Sequence, residues 1–142
     1  MILRFLPYVI KYISTRFNHR ASTKINENLS NVIELLKTDF QTNNIKYKIV
    51  GFFRKSPCHY LMLLNIAESS IKKKPITFEG MLKSIPDKIG SRSKIFQILK
   101  DAISEGILIK NKNFADNREQ IYRLSEESTK ELNKWLKIFK CL

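Results

Sequence analysis

The sequence predicts a mainly α (α+β) fold, a winged helix-turn-helix with N- and C-terminal dimerisation helices, and three observations carry that prediction. Between Thr77 and Ser125 an amphipathic helix, a tight turn, a second amphipathic helix and a β-hairpin follow one another. On either side of this stretch lie segments whose apolar residues recur at helical spacing. The 142 residues suit one domain, with enough chain for a core but not for two independent ones.

The first segment carries a stripe of Ile2, Leu6, Val9, Ile10, Ile13 and Phe17, with Arg4, Lys11 and Arg16 among them. Pro7 and these charges argue against a membrane span, which needs about 20 apolar residues in a row. No small-residue cleavage pattern of a secretory signal is present. The next helix, Asn26 to about Phe40, repeats the design with Leu29, Val32, Ile33, Leu36 and Phe40. From Asn43 to Lys55 two readings stay open. Tyr47, Ile49, Gly51 and Phe53 alternate as in a strand, yet Ile45, Ile49 and Phe53 also suit a helix.

Thr77 is placed to cap a supporting helix with Phe78, Met81, Leu82 and Ile85 on its buried side, and Pro86 stops it. Pro86-Asp87-Lys88-Ile89-Gly90 makes the turn. Ser91 is an N-cap for the second helix, because its hydroxyl accepts from a backbone N–H that has no partner inside the helix. Behind it Ile95, Ile98, Leu99, Ala102 and Ile103 form the stripe of a helix pressed on a core, and Gly106 ends it. Ile107-Leu108-Ile109 then starts a strand running into Lys110-Asn111-Lys112, and Gln120 to Leu124 returns. The connection Asn113-Phe114-Ala115-Asp116-Asn117-Arg118 holds residues that tolerate turn conformations, so the ribbon suits a wing. A last helix carries Leu132, Trp135, Leu136 and Phe139.

The outer face of the second helix points to chemistry. Arg92, Ser93, Lys94, Gln97 and Lys100 are long or polar donors concentrated in its first turns, the types that reach base edges and phosphates. Arg92 suits guanine and Gln97 adenine, with Ser93 and Lys94 beside them. Thr77, Lys88, Ser91 and Lys100 are placed for phosphates, partly through the helix N-terminus. Charge agrees: 26 Lys and Arg stand against 13 Asp and Glu, a net +13, and a polyanionic partner is expected. The excess is greatest outside this motif, with 10 basic and 3 acidic groups in residues 1–55.

Catalysis is not expected. His19 and His59 have no nucleophile or metal partner at useful spacing, and Gly51, Gly80, Gly90 and Gly106 form no phosphate-cradling loop. Cys58 and Cys141 show no metal spacing and read as free thiols of a reducing cytoplasm. No cofactor and no metal are implied.

The recognition helix, Gly106-Ile107-Leu108, Asp116-Asn117-Arg118 and Arg123-Leu124-Ser125 before a long terminal helix together resemble the multiple antibiotic resistance regulator (MarR) family of winged-helix transcription factors. The resemblance covers about Cys58 to Leu142, while the first 57 residues agree only in being helical and apolar. Ser128 stands where glycine is frequent. The resemblance implies a single domain over 1–142, with 1–57 and 126–142 as a helical dimerisation region and 58–125 as the winged helix. It implies a wing of Lys112, Asn113, Asp116, Asn117 and Arg118, with Arg118 entering the minor groove and Asp116 orienting its guanidinium. The apolar helices exceed what one module needs, so a homodimer is expected, with Leu6, Ile10, Ile13, Leu132, Trp135 and Phe139 at its interface. A small lipophilic effector is also implied, in a pocket that Phe52, Phe53, Tyr60 and Trp135 would line.

The expected function is therefore a double-stranded DNA-binding regulator on a near-palindromic site. Two other classes stand beside it. A winged helix also serves as a scaffold for protein or RNA, and a basic N-terminal helix suits a membrane surface, though such a stripe is more often a core or interface face.

Overall fold

The computed structural model describes residues 22–112 and 119–141. Leu6, Ile10 and Ile13, and with them Asn113, Asp116, Asn117 and Arg118 of the wing, lie outside the described residues. The chain divides into two compact units, Met1–Thr38 and Asp39–Leu142.

Helix α1 spans Ser22–Lys46, longer at both ends than expected. The run Gln41-Thr42-Asn43-Asn44 looks like a stop, but the amides serve the helix: Asn43 donates to the Asp39 carboxylate (2.7 Å) and Asn44 to the Phe40 carbonyl (2.9 Å). In the first unit Ile33 and Leu36 of the expected stripe are exposed.

The second unit resolves the open stretch as helix. Tyr47 is extended, and α2 (Lys48–Phe52) follows. Ile49, Val50, Phe52 and Phe53 are all buried, a helical rather than an alternating pattern. The carboxylate of Glu131 accepts from the Ile49 N–H across 82 positions of sequence (3.1 Å). Helix α3 (Pro57–Ile71) starts at a Ser56 cap with proline at its first turn and buries Cys58, Met62, Leu63, Ile66 and Ala67. It ends through Lys73, which takes a left-handed φ of 53° in the place glycine usually fills.

Strand β1 is only Ile76–Thr77, too short for a periodic signal. It is followed by α4 (Phe78–Ser84), α5 (Arg92–Ser104), β2 (Leu108–Lys112), β3 (Gln120–Leu124) and α6 (Glu126–Lys137), with a last 3₁₀ turn at Ile138–Cys141. The sheet is antiparallel in the order β1-β3-β2, with Ile76 opposite Tyr122 and Leu108 opposite Leu124. A single buried cluster runs from Tyr47 and Phe53 through α3, α5 and the sheet to Leu132 and Trp135. Residues on both sides of position 57 therefore share one core. Ser128 is buried and its N–H is accepted by Ser125, whose hydroxyl also donates to Ser128 (2.9 Å), so serine fits where glycine was the family's usual residue.

Leu132 and Trp135, expected at a dimer interface, are instead 0% and 1% exposed within the single chain. The reason is a buried polar junction. The Trp135 indole N–H donates to Asp39 Oδ1 (2.8 Å), Arg54 pairs with the other carboxylate oxygen, and Arg54 also donates to the Asp39 carbonyl (3.2 Å) and to Asn44 Oδ1 (2.6 Å). The guanidinium is ringed by Phe40, Tyr60 and Trp135 at 5.1, 5.8 and 5.9 Å from their centroids. Phe139 is half-buried, edge-to-face on Trp135 at 5.3 Å.

No helix among the described residues is long and apolar enough to cross a membrane. Replacing Asp39 by alanine would strand the Arg54 charge, whose side chain is 6% exposed, and should destabilise the fold by about 3–5 kcal/mol. Urea unfolding of Asp39→Ala against the parent chain measures this, and a loss under about 1 kcal/mol would mean that water relieves the stranded charge.

Candidate nucleic-acid interface

Helix α5 is held as a rigid bar by its ends and its back. At the front, Ser91 Oγ accepts from the Lys94 N–H (3.3 Å). Pro86 O accepts from both Ile89 (2.8 Å) and Gly90 (3.1 Å), closing the turn that delivers it. Gly90 is required there, since a Cβ on it would lie 2.4 Å from the Cys58 sulfur. At the rear, Gly106 at φ +73° sets up paired bonds, its own N–H to Ile103 O (3.0 Å) and the Ile107 N–H to Ala102 O (2.9 Å), the Schellman arrangement. The back presses Ile95, Ile98, Leu99 and Ala102 into the core.

What remains outward is the expected set. Arg92, Ser93, Lys94, Gln97 and Lys100 are all exposed on α5, and Lys88 is exposed in the turn before it. Their geometry adds detail that spacing alone does not reveal. Arg92 donates to Glu79 of α4 (3.1 Å) and lies 4.9 Å over the Phe78 ring. Gln97 donates to Asp101 (2.7 Å), one turn further on. Ser91 shares its hydroxyl with Ser93 at 3.2 Å. Thr77 is half-buried in β1, and its Oγ1 accepts from the Gly80 N–H (3.0 Å) as the cap of α4.

Beside the helix, β2 presents Ile109, Lys110, Asn111 and Lys112 outward, and Arg123 is exposed opposite Ile109 on β3. Of the side chains expected around an effector, Phe52 and Phe53 are buried edge-to-face at 4.8 Å, Trp135 is core, and Tyr60 is half-buried near Arg54.

One residue escaped the sequence reading. Phe96 is 49% exposed, its ring edge-to-face with Phe78 at 5.9 Å. Together with Ser91, Arg92 and Ser93 these two rings line a shallow hollow of about 560 Å³. The signal was available: about 100° round the helix from buried Ile95, position 96 falls at the edge of the apolar stripe, one turn on from Arg92.

Comparison with solved structures can now be set beside this geometry. A transcriptional regulator, Tm0710 from Thermotoga maritima, superposes with a TM-score of 0.50 at 14% identity, over 81% of this chain and 72% of that one. The chain has a MarR-like winged-helix fold. A putative MarR-like transcription regulator from Bacillus cereus is similar at TM-score 0.45 and 14% identity, over 86% of this chain and 78% of that one. The transcriptional regulator BldR from Sulfolobus solfataricus gives 0.46 and 14%, over 82% and 79%. No protein-family model matches the chain, and no curated protein matches it.

Within this MarR-like frame His59 sits close behind the interface, its Nδ1 2.8 Å from Ser56 Oγ and its ring edge-on to Phe52. Burial pushes its pKa below the ordinary histidine value, and the charges of Lys55 and Lys94 push the same way against Asp101. The same burial raises the Cys58 thiol, with Lys94 opposing, so this cysteine stays protonated. For His59 the unfolded chain takes up its proton near pH 6.5 while the folded chain resists it, so the associated stability is complete above that pH and lost below it. The denaturation midpoint should fall as pH is lowered from about 7 to about 5.5, and His59→Gln should flatten that slope. An equal slope in both proteins would assign the dependence to other groups.

Proposed function

We propose that this chain is a sequence-specific double-stranded DNA-binding transcriptional regulator that acts as a homodimer on a near-palindromic site. The observation that carries the reading is the split character of α5, a capped 13-residue helix: Ile95, Ile98, Leu99 and Ala102 are driven into the core while Ser93, Gln97 and Lys100 stand on the opposite side, with Arg92 and Lys94, also exposed, at its flanks. Such a bar fits a major groove, and two of them related by two-fold symmetry require half-sites about one helical turn apart. Tm0710, whose fold is shared, is a transcriptional regulator.

Arg92, Ser93, Lys94 and Gln97 take the base edges. Thr77, Lys88, Ser91 and Lys100 take phosphates, Thr77 and Ser91 as caps whose oxygens accept from a backbone N–H at the start of a helix. The Arg92–Glu79 pair does not oppose this role. Both side chains are well exposed, at 68% and 60%, where such a pair is worth about 0–1 kcal/mol. A bidentate guanine contact is worth about 1–3 kcal/mol, so the guanidinium leaves Glu79 for a base, or reads the base while Glu79 still orients it.

The wing, from exposed Lys112 to Arg118, lies along the neighbouring minor groove. With Leu132 and Trp135 enclosed in the core, the dimer contacts fall to exposed Ile33, Leu36 and Phe40 of α1 and the half-buried Phe139, together with Leu6, Ile10 and Ile13 as their sequence pattern suggests. On this reading residues 58–125 read DNA, while 1–57 and 126–142 supply the dimer contacts.

The test is selection from a random duplex library with the full chain at near-physiological salt, where unspecific electrostatic binding fades and base readout survives. Enrichment of an inverted repeat is expected; enrichment of nothing would overturn the reading in favour of a protein, RNA or membrane partner. On the enriched site Arg92→Ala should cost about 1–3 kcal/mol and relax preference at one base position, and an equal loss on every duplex would remove Arg92 from the base-reading set. Lys100→Ala should weaken all duplexes alike and lower the salt slope by about one counterion; an unchanged slope would take Lys100 off the phosphates.

A further inference from the structure

Phe96 is the anomaly of the exposed face. Burying a phenylalanine ring is worth about 1.5–3 kcal/mol, and this helix leaves the ring 49% exposed among charged and polar neighbours. Its position is not loose. The ring stands edge-to-face against Phe78, with centroids 5.9 Å apart and planes at 76°. Phe78 in turn carries the Arg92 guanidinium at 4.9 Å. The three side chains form one array along the mouth of the shallow hollow.

Resting on the DNA reading above, we infer that Phe96 is a specificity-determining residue that contacts the C5 methyl group of a pyrimidine beside the guanine taken by Arg92. Three arguments converge. First, residues 92 and 96 are one helical turn apart, with Cβ atoms about 5–6 Å from each other, while successive base pairs are about 3.4 Å apart along the duplex. Two such side chains entering one groove meet neighbouring base pairs. Second, among the groups that distinguish base edges in the major groove the methyl is the one that projects as an apolar knob, the others being hydrogen-bond donors and acceptors. An apolar ring turned into the groove has one class of complement there. Third, the surroundings do not suit a protein partner: Arg92 and Lys100 stand one turn either side of Phe96, with exposed Ser93 three residues before it, whereas the buried centre of a protein interface is depleted of charge.

Phe78 acts as the positioning residue. Its ring sets the angle of Phe96 on one side and the plane of Arg92 on the other, so the methyl and guanine contacts come as a pair. Thymine supplies this methyl in ordinary DNA and 5-methylcytosine supplies it in methylated DNA.

The experiment uses the full chain and the duplex enriched from the random library, with each thymine replaced in turn by uracil, which removes only the methyl. One thymine per half-site, adjacent to the guanine whose preference Arg92→Ala relaxes, should respond with about a fourfold weaker Kd per methyl removed. Phe96→Ala should bind the thymine and uracil duplexes equally while keeping the guanine preference and the parent's melting temperature, as expected for a half-exposed side chain. Phe96→Leu, which keeps an apolar tip, should retain part of the thymine preference. At the same position, a C·G pair whose affinity rises when the cytosine carries a 5-methyl group shows that either base serves; no rise assigns the contact to thymine.

A library that enriches a site while uracil is tolerated at every thymine would overturn the Phe96 contact and leave the DNA reading standing. A library that enriches no site would overturn both.

Discussion

The Asp39 carboxylate is the junction on which the rest of this structure depends. One of its oxygens accepts from the Trp135 indole and the Asn43 amide, the other pairs with Arg54, and all of this takes place at 3% exposure. Buried ion pairs rarely add net stability over well-packed apolar groups, because desolvation consumes the Coulomb gain. What this one contributes is address. A hydrocarbon stripe accepts many neighbours at similar energy, whereas a carboxylate with three fixed donors accepts one arrangement of α1's C-terminal part, the α2–α3 connection and α6. Trp135, bonded to Asp39, belongs to the same buried cluster as Phe53 and Ile49, and Glu131, one turn earlier on α6, meets the N–H of Ile49.

That order propagates to the surface. The core behind α5 is continuous with the cluster to which Trp135 belongs, so the helix that faces outward is backed by buried apolar residues. Its approach turn passes so near Cys58 that only glycine fits, and its exit is a Schellman bend at Gly106. On the proposed function, a helix held at both ends meets DNA with less conformational entropy to lose than a loop would, the condition under which a few polar contacts discriminate well.

How much of this was legible in the chain depended on the range of the interaction. Ser91, Gly106 and the stripe from Ile95 to Ala102 are local signals, each decided within one or two turns, and the structure places all of them as read. The Asp39–Arg54–Trp135 junction spans up to 96 residues and leaves no periodic trace; a lone aspartate near lysines reads as a solvated face. The stripe Leu132-Trp135-Phe139 records which residues share a side of α6 but not what covers it, which is why residues enclosed in the core passed for an interface. Residues 43–55 were ambiguous because their apolar density satisfies both periods, and the choice fell to buried contacts with α3 and α6. Strand β1, two residues long, exists only because β3 is there to pair with it.

The sheet order β1-β3-β2 leaves one long strand with an open flank. Among the described residues only β3 is paired on both sides, so β2 is an edge strand there, the geometry that invites another chain to add itself as a further strand. Lys110 and Lys112, exposed along that strand with Asn111 between them, place positive charge and a polar amide where a neighbouring copy would have to pair. Charge on an edge strand is a general device against strand-to-strand pairing between copies, and it works independently of any nucleic acid.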